Sequence, residues 1–427
     1  MKRIFTIAAA VLVALAAMGQ TKSLDGIKIY INPGHGGFDS NDRSCWTIPV
    51  PSEWTDSAGY WESKSNFVKG LYLRQMLQEA GATVIFSRET NDSGQRDMPE
   101  ALARIIGVPK STISAYFDNY DNRPSSDFNL ESFLQKYPQV TRHQYDSLMN
   151  GGDRYLSAIA EEANAYGVDH FLSIHSNALN RQTNYLLMLY HGSDGSPTVA
   201  HSNEMAALAG SIQIKNELTV WTSSAPMIKG DFTFYGDNSG LGVLRPLTVP
   251  GHLSEGSFHD YAPETHRLMN KDYCKLEALR MFQYFHKWFK KELPQTATIS
   301  GWVKSANEKA DELKESKWKY VAKSDDQWMP LNGAVVYLLN STGEVTLQTC
   351  TTDDWYNGIF AFYDLAPGNY KVAVRKSGYA RDTVDVTVAA EEIAAVKFLI
   401  DNIHKDYPDY QDPEQDSGTL PDRKSTR

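Results

Sequence analysis

Three short apolar stretches lead into a residue able to bind a metal or move a proton. His35 stands just beyond "IKIYIN", His175 closes "FLSIH" and Glu255 closes "GHLSE". A fourth such residue, Glu62, opens the helical stretch "ESKSNFVKGLYLRQMLQEAGA" after the first loop. Two neutral imidazoles and one carboxylate form a usual catalytic zinc set, with the fourth position left to water. Gly34, Gly36 and Gly37 flank His35, and residues without a Cβ let backbone and substrate approach closely. Singly, these residues say little: a histidine in a glycine loop is commonly a turn residue, and a glutamate at a helix start commonly complements the helix dipole. Their joint occurrence at strand ends points to a metal site.

The elements that must position them are legible as an alternation of strands and helices from Gly26 to about Leu293. Strands are predicted over Ile27 to Asn32, Ala82 to Ser87, Asp169 to His175, Thr183 to Tyr190 and Gly251 to Glu255. Helices are predicted from the spacing of Val68, Tyr72, Met76 and Ala80, over "YLSAIAEEANAYG", over about His201 to Glu217 and over Lys271 to Leu293. This order is that of an α/β fold, a doubly wound, mostly parallel sheet with helices on both faces. The carboxyl ends of strands in such a sheet line one crevice, which brings His35, His175 and Glu255 together, with Glu62 at the same edge. Residues 93–152 interrupt the rhythm and are read as an insertion with helix of its own, since a structureless loop of that length is unusual inside a domain.

The remainder of the 427 residues divides clearly. Residues 1–20 carry Lys2 and Arg3, an apolar run and the small residues Ala17 and Gly19, the pattern of a cleaved export signal. No internal apolar run approaches the roughly 20 residues that cross a bilayer, so no stable membrane span is expected. Over 296–401 the composition shifts to short β-branched and aromatic strands between turns, an all-β sandwich separate from the domain over 21–295. Residues 402–427 are polar and nearly free of aliphatics, as in a disordered tail. A net charge of −10 argues against a nucleic-acid partner. Cys45, Cys274 and Cys350 are too few and too widely spaced for a repeated metal motif, and a chain this large needs no disulfide staples.

The blocks "INPGHGGFDS", "ESKSNFVKGLYLRQMLQEAGATVIFSRETND", "ANAYGVDHFLSIHSNA" and "SEGSF" occur here in the order found in the zinc-dependent N-acetylmuramoyl-L-alanine amidases, which Gly26 to Leu293 resembles apart from the insertion. The resemblance implies Zn²⁺ as cofactor, His35, Glu62 and His175 as its ligands and Glu255 as the catalytic glutamate. It implies hydrolysis of the amide between N-acetylmuramic acid and the first L-alanine of the stem peptide, with peptidoglycan as substrate. In some members of that family an inserted helix covers the zinc until a partner removes it. The segments "PLNGAVVYL" and "GIFAFYDLAPGNYKVAVRKSGY" resemble the carboxypeptidase regulatory-like, or transthyretin-like, sandwich. The sandwich is read as a docking module for an activator protein or a cell-wall anchor.

Two departures from the amidase pattern stand out. The arginine often placed just before the pair Ala163 and Asn164 is not evident, and Gly256 is followed by Ser257, Phe258, His259 and Asp260 rather than Phe and a later Asn. Asn177 and His191 are read as substrate-binding residues, and His259 as lying near the crevice by strand position. Trp54, Tyr60 and Trp61 are candidates for stacking on sugar faces. "GDNSG" (Gly236 to Gly240) lacks the spacing of a serine nucleophile elbow. The whole reads as an exported cell-wall hydrolase of the periplasm or cell envelope. Its rivals are a non-catalytic peptidoglycan-binding protein of the same fold and a zinc hydrolase of another amide.

Overall fold

Strict alternation along the first strand sets the architecture: Ile29 and Ile31 enter one apolar layer while Tyr30 enters another. The computed structural model describes residues 22–35, 44–45, 55–56, 59–88, 98–117, 124–142, 144–145, 153–214, 225–313, 319–321 and 324–406. The export signal read over 1–20, Trp54 and residues 407–427 of the tail lie outside the described residues, as do the side chains of Tyr60 and Trp61.

The first unit is built on a six-stranded sheet. Its strands are β1 (Lys28–Pro33), β2 (Thr83–Phe86), β3 (His170–Asn177), β4 (Leu187–Tyr190), β5 (Met227–Gly230) and β6 (Gly251–Phe258), in the spatial order β5-β4-β6-β3-β1-β2. β2, β1, β3 and β6 are parallel, whereas β4 pairs antiparallel with β6 and carries β5 with it. The sheet is thus mostly parallel, as predicted, with a reversed edge that sequence periodicity does not reveal.

Helices α1 (Glu62–Glu79), α3 (Ser202–Ile212) and α6 (Lys271–Trp288) cover one face, and α2 (Asp153–Tyr166) with the turn through Val243 and Leu244 covers the other. β5 and the short helix α4 (Asp231–Tyr235) lie between α3 and β6, a stretch for which the sequence predicts no element. The buried face of α1 is also rotated from expectation. Glu62, Asn66, Lys69, Leu73 and Leu77 point inward, while Val68, Tyr72, Met76 and Ala80 are only partly covered. Within the insertion, helices Met98–Ile106, Lys110–Ser114 and Leu130–Lys136 share a core of their own that includes Leu102, Ile113, Phe133 and Tyr145.

The second unit is a sandwich of two four-stranded sheets. One holds β7 (Ala297–Lys309), β8 (Trp328–Pro330), β11 (Ile359–Leu365) and β14 (Ile393–Ile400); the other holds β9 (Val335–Leu339), β10 (Thr346–Thr351), β12 (Gly368–Arg375) and β13 (Asp382–Val388). The two inner faces close on Ile299, Val336, Phe360, Val372 and Phe398.

The sandwich does not hang from a free linker. Trp302 and Ile359 pack with Leu268, Met269 and Tyr273, and Ala361 and Ile393 pack with Leu276. Helix α5 (Ala262–Leu268), which follows β6, contributes Arg267. Asp326 accepts hydrogen bonds from Arg267 (2.9 Å), Lys304 (2.9 Å) and the Tyr261 hydroxyl (2.8 Å), and all four side chains are buried. Buried ions are tolerated only when their bonds are satisfied in this way. Cys274 and Cys350 are free thiols. No helix among the described residues is long and apolar enough to cross a membrane.

Candidate metal centre

β1 delivers the chain to Gly34 and then to His35, whose φ of 58° lies in the left-handed region. The Gly34 amide donates to Ile174 O at 2.8 Å, tying the loop to β3. A methyl group at Gly34 would fall inside the His175 ring, so only glycine lets the loop pass this close to the imidazole.

Arg88 fastens the same loop from the other side. From its buried position just past β2, Nε donates to Pro33 O at 3.1 Å and an Nη donates to Ser63 O at 2.7 Å, with the guanidinium 4.7 Å above the Phe67 ring. The loop bearing His35 and the first turn of the helix bearing Glu62 are therefore held by one side chain. Sequence reasoning assigned Arg88 no role.

Glu62 sits at the centre, with 1 % of its surface exposed. Its Oε2 is 3.1 Å from His35 Nε2 and its Oε1 is 3.3 Å from His175 Nδ1. Oε1 also accepts from the Ser176 amide (2.8 Å) and from Asn66 Nδ2 (3.1 Å), which fixes the carboxylate plane. His259 Nδ1 stands 3.7 Å from Oε2 and 2.9 Å from Ser176 Oγ, so it backs the carboxylate rather than facing the crevice. Burial pushes the Glu62 carboxyl up, but His35, His175 and His259 outweigh it and hold the group well below the usual carboxylate range.

His35, Glu62 and His175 each offer a ligand atom, all within 4.8 Å of one another. Tetrahedral zinc bonds of about 2.0–2.1 Å put neighbouring ligand atoms about 3.3 Å apart. The separations of 3.1 Å from Oε2 to His35 and 3.3 Å from Oε1 to His175 put each imidazole at about that distance from one carboxylate oxygen, and two imidazoles with a carboxylate suit Zn²⁺ chemically. The residues present fit the ion.

Glu255 and His175 are register partners on the parallel strands β6 and β3. With His35 they line a cleft of about 270 Å³, walled by Leu156 and Ile159 of α2 and by Leu241, Val243 and Leu253. No described residue of the insertion lines it. A larger groove of about 610 Å³ lies toward the other end of α1, among Tyr72, Phe282 and Tyr363. It contains no candidate metal cluster among the described residues, so donor chemistry rather than size marks the site.

The structure thus brings His35, Glu62, His175 and Glu255 together. Asn177 ends the same strand as His175, but its Oδ1 accepts from the Ala178 amide and its carbonyl from the His259 amide. His191 is not among the described residues lining the cleft. Because β4 runs antiparallel to β6, Leu187 stands opposite Glu255 and the chain then runs away from it. His191 Nδ1 instead lies 2.9 Å from Asp231 Oδ2, and Asp231 also accepts from the Gly192 and Leu241 amides. Ser239 is exposed and its hydroxyl donates to Asp237.

Residues 322–400 match the carboxypeptidase regulatory-like domain. No curated protein sequence matches the chain. The solved structures it resembles include the N-acetylmuramoyl-L-alanine amidase AmiC2 of Nostoc punctiforme, at 14 % identity and a TM-score of 0.36 over 62 % of this chain and 99 % of that one. They also include the CwlD amidase of Clostridioides difficile in complex with the GerS lipoprotein, at 17 % identity and 0.37 over 62 % and 99 %. A third is the N-acetylmuramyl-L-alanine amidase Ami1 of Mycobacterium smegmatis, at 12 % identity and 0.39 over 63 % and 99 %.

Proposed function

We propose that this chain is an exported, zinc-dependent peptidoglycan amidase that cleaves the bond between N-acetylmuramic acid and the L-alanine of the stem peptide. The observation that carries the reading is the meeting of His35, Glu62 and His175 around one point, with Glu255 in register beside His175 at the mouth of an open cleft. A structural ion would call for a closed shell of four protein ligands, whereas three ligands beside a cleft leave room for water and substrate.

His35, Glu62 and His175 would hold the ion. Bound there, Zn²⁺ supplies acidity to a coordinated water near neutral pH and polarises an amide carbonyl. Glu255 takes the proton of the attacking water and returns it to the departing nitrogen. Leu156, Ile159, Leu241 and Val243 form apolar walls around these groups, and a low-dielectric wall strengthens the charge interactions inside the cleft. Peptidoglycan lies outside the cytoplasm, which agrees with the export signal read over 1–20 and places the enzyme in the periplasm or cell envelope. The sandwich would serve as the attachment point for an activator or the wall.

Dye-labelled sacculi test the reading, with and without a chelator. Chelator-sensitive release, with mass analysis showing free stem peptides that begin at L-alanine, is the expected outcome. Release of other fragments would make this a zinc hydrolase of another bond, and no release with intact binding would make it a non-catalytic wall protein.

A further inference from the structure

One buried ion pair lies beneath the site and has no part in the chemistry described so far. Lys69, about two turns along α1 from Glu62, has no exposed surface, and its Nζ is 2.6 Å from Oε2 of Glu277 on α6, itself buried. A Cβ added at Gly256 would stand 3.2 Å from that Glu277 oxygen and 3.7 Å from the Lys69 ammonium. The pair therefore sits against the main chain one residue beyond Glu255.

Helix packing does not call for these charges. Farther along the same face of α1, Leu73 and Leu77 pack in the apolar core that α6 supplies with Ala278, Met281 and Phe285. Taking two ions out of water is costly, and well-packed apolar residues at such positions are often neutral or better for stability. What distinguishes Lys69 from Leu73 is its place. It lies one turn beyond Asn66, which bonds Glu62, and against the Gly256 backbone that follows Glu255.

We propose that the Lys69–Glu277 pair is a positioning device for the metal centre: it locks the helix bearing Glu62 to α6 and braces the main chain at Gly256, one residue beyond Glu255. The inference rests on the reading of Glu62 as a ligand and Glu255 as the base. Lys69 and Glu277 are positioning residues, since the contact runs through α1, α6 and the Gly256 backbone.

The test uses the full chain and the double variant Lys69→Met with Glu277→Leu, which removes both charges and fills the space with apolar atoms. Three quantities are compared with the parent: melting temperature, zinc affinity by competition with a chromogenic chelator, and kcat and KM on a soluble disaccharide-peptide. The expected result is a parental melting temperature, zinc affinity weakened at least fivefold and kcat lowered at least tenfold with KM within threefold. A fold-competent variant that keeps both zinc affinity and kcat within twofold of the parent overturns the proposal, and a loss in either supports it. If the parent has no turnover, the amidase reading fails by itself and zinc affinity alone decides the positioning role. Should the double variant melt early, the isosteric Glu277→Gln, which keeps an oxygen facing Lys69, is judged by the same rule.

Discussion

His175 and Glu255 stand side by side on adjacent parallel strands, so a single register fixes the spacing between the proposed metal ligand and the proposed proton carrier. A rigid sheet holds such a spacing more tightly than loops do.

Glu255→Ala separates the two roles. Zinc content is expected to stay at one ion per chain, because Glu255 is not in the cluster formed by His35, Glu62 and His175. Turnover of labelled peptidoglycan is expected to fall about 10²–10⁴-fold, the usual worth of a positioned acid–base group. Metal analysis alongside dye release checks this, and near-parental turnover would show that another group moves the proton.

Gly34→Ala tests the contact between the loop and the His175 ring. The added methyl cannot coexist with the imidazole where it now lies, so one of the two must move. Zinc affinity is expected to drop about 10–100-fold, the scale seen when a ligand's support is disturbed. Titration with a fluorescent zinc indicator reads it, and an affinity within twofold of the parent would show that the loop yields instead.

Arg88→Met removes the clamp on Pro33 and Ser63 while keeping much of the side chain over Phe67. Two buried carbonyls lose a charged donor, which is expected to cost about 1–3 kcal/mol of stability and to loosen the metal loop. Denaturant melts with and without added zinc should show the variant losing the larger part of the zinc-dependent gain. An equal gain in both proteins would limit Arg88 to holding the fold.

Acid should destabilise the first unit before it affects most carboxylates. His170 and His252 are fully buried beside Tyr284, whose hydroxyl lies 2.6 Å from His170 Nε2. Burial lowers His170 to about 3 and holds His252 well below the usual histidine range. Both stay neutral in the fold while the unfolded chain takes up protons from about pH 6.5 downward. Stability is therefore complete above that pH and declines as pH falls toward 3, by up to about 2 kcal/mol per histidine at pH 5. Melting temperatures from pH 7.5 to 4 check the slope, and His252→Leu should flatten it. An unchanged slope in that variant would assign the acid response to other groups.

Much of the site could be read from residue order, because parallel strands gather their carboxyl ends and the four residues His35, Glu62, His175 and Glu255 all fall there. Alternation accounts for more: His170 and His175 lie five positions apart on β3 and so enter opposite faces, one into the core against Tyr284 and one into the cleft. Strand direction was not legible. A run such as "TNYLLMLY" has the same period either way, and the reversal of β4 takes His191 away from Glu255 toward Asp231. The role of Arg88 is not legible because its hydrogen-bond partners are backbone carbonyls, which leave no mark on a sequence. Lys69 and Glu277 are not legible because the helical spacing of Val68, Tyr72, Met76 and Ala80 points to one side of the face of α1 that is buried.

The carboxylate of Asp326 has a consequence in time. It receives Arg267 from one unit and Lys304 from the other, and it follows Arg267 by 59 positions in the chain. Synthesis completes Arg267 and its neighbouring partner Glu264 well before Asp326, the carboxylate that ties them to Lys304. The junction between the two units therefore closes only once the chain through Asp326 has been made.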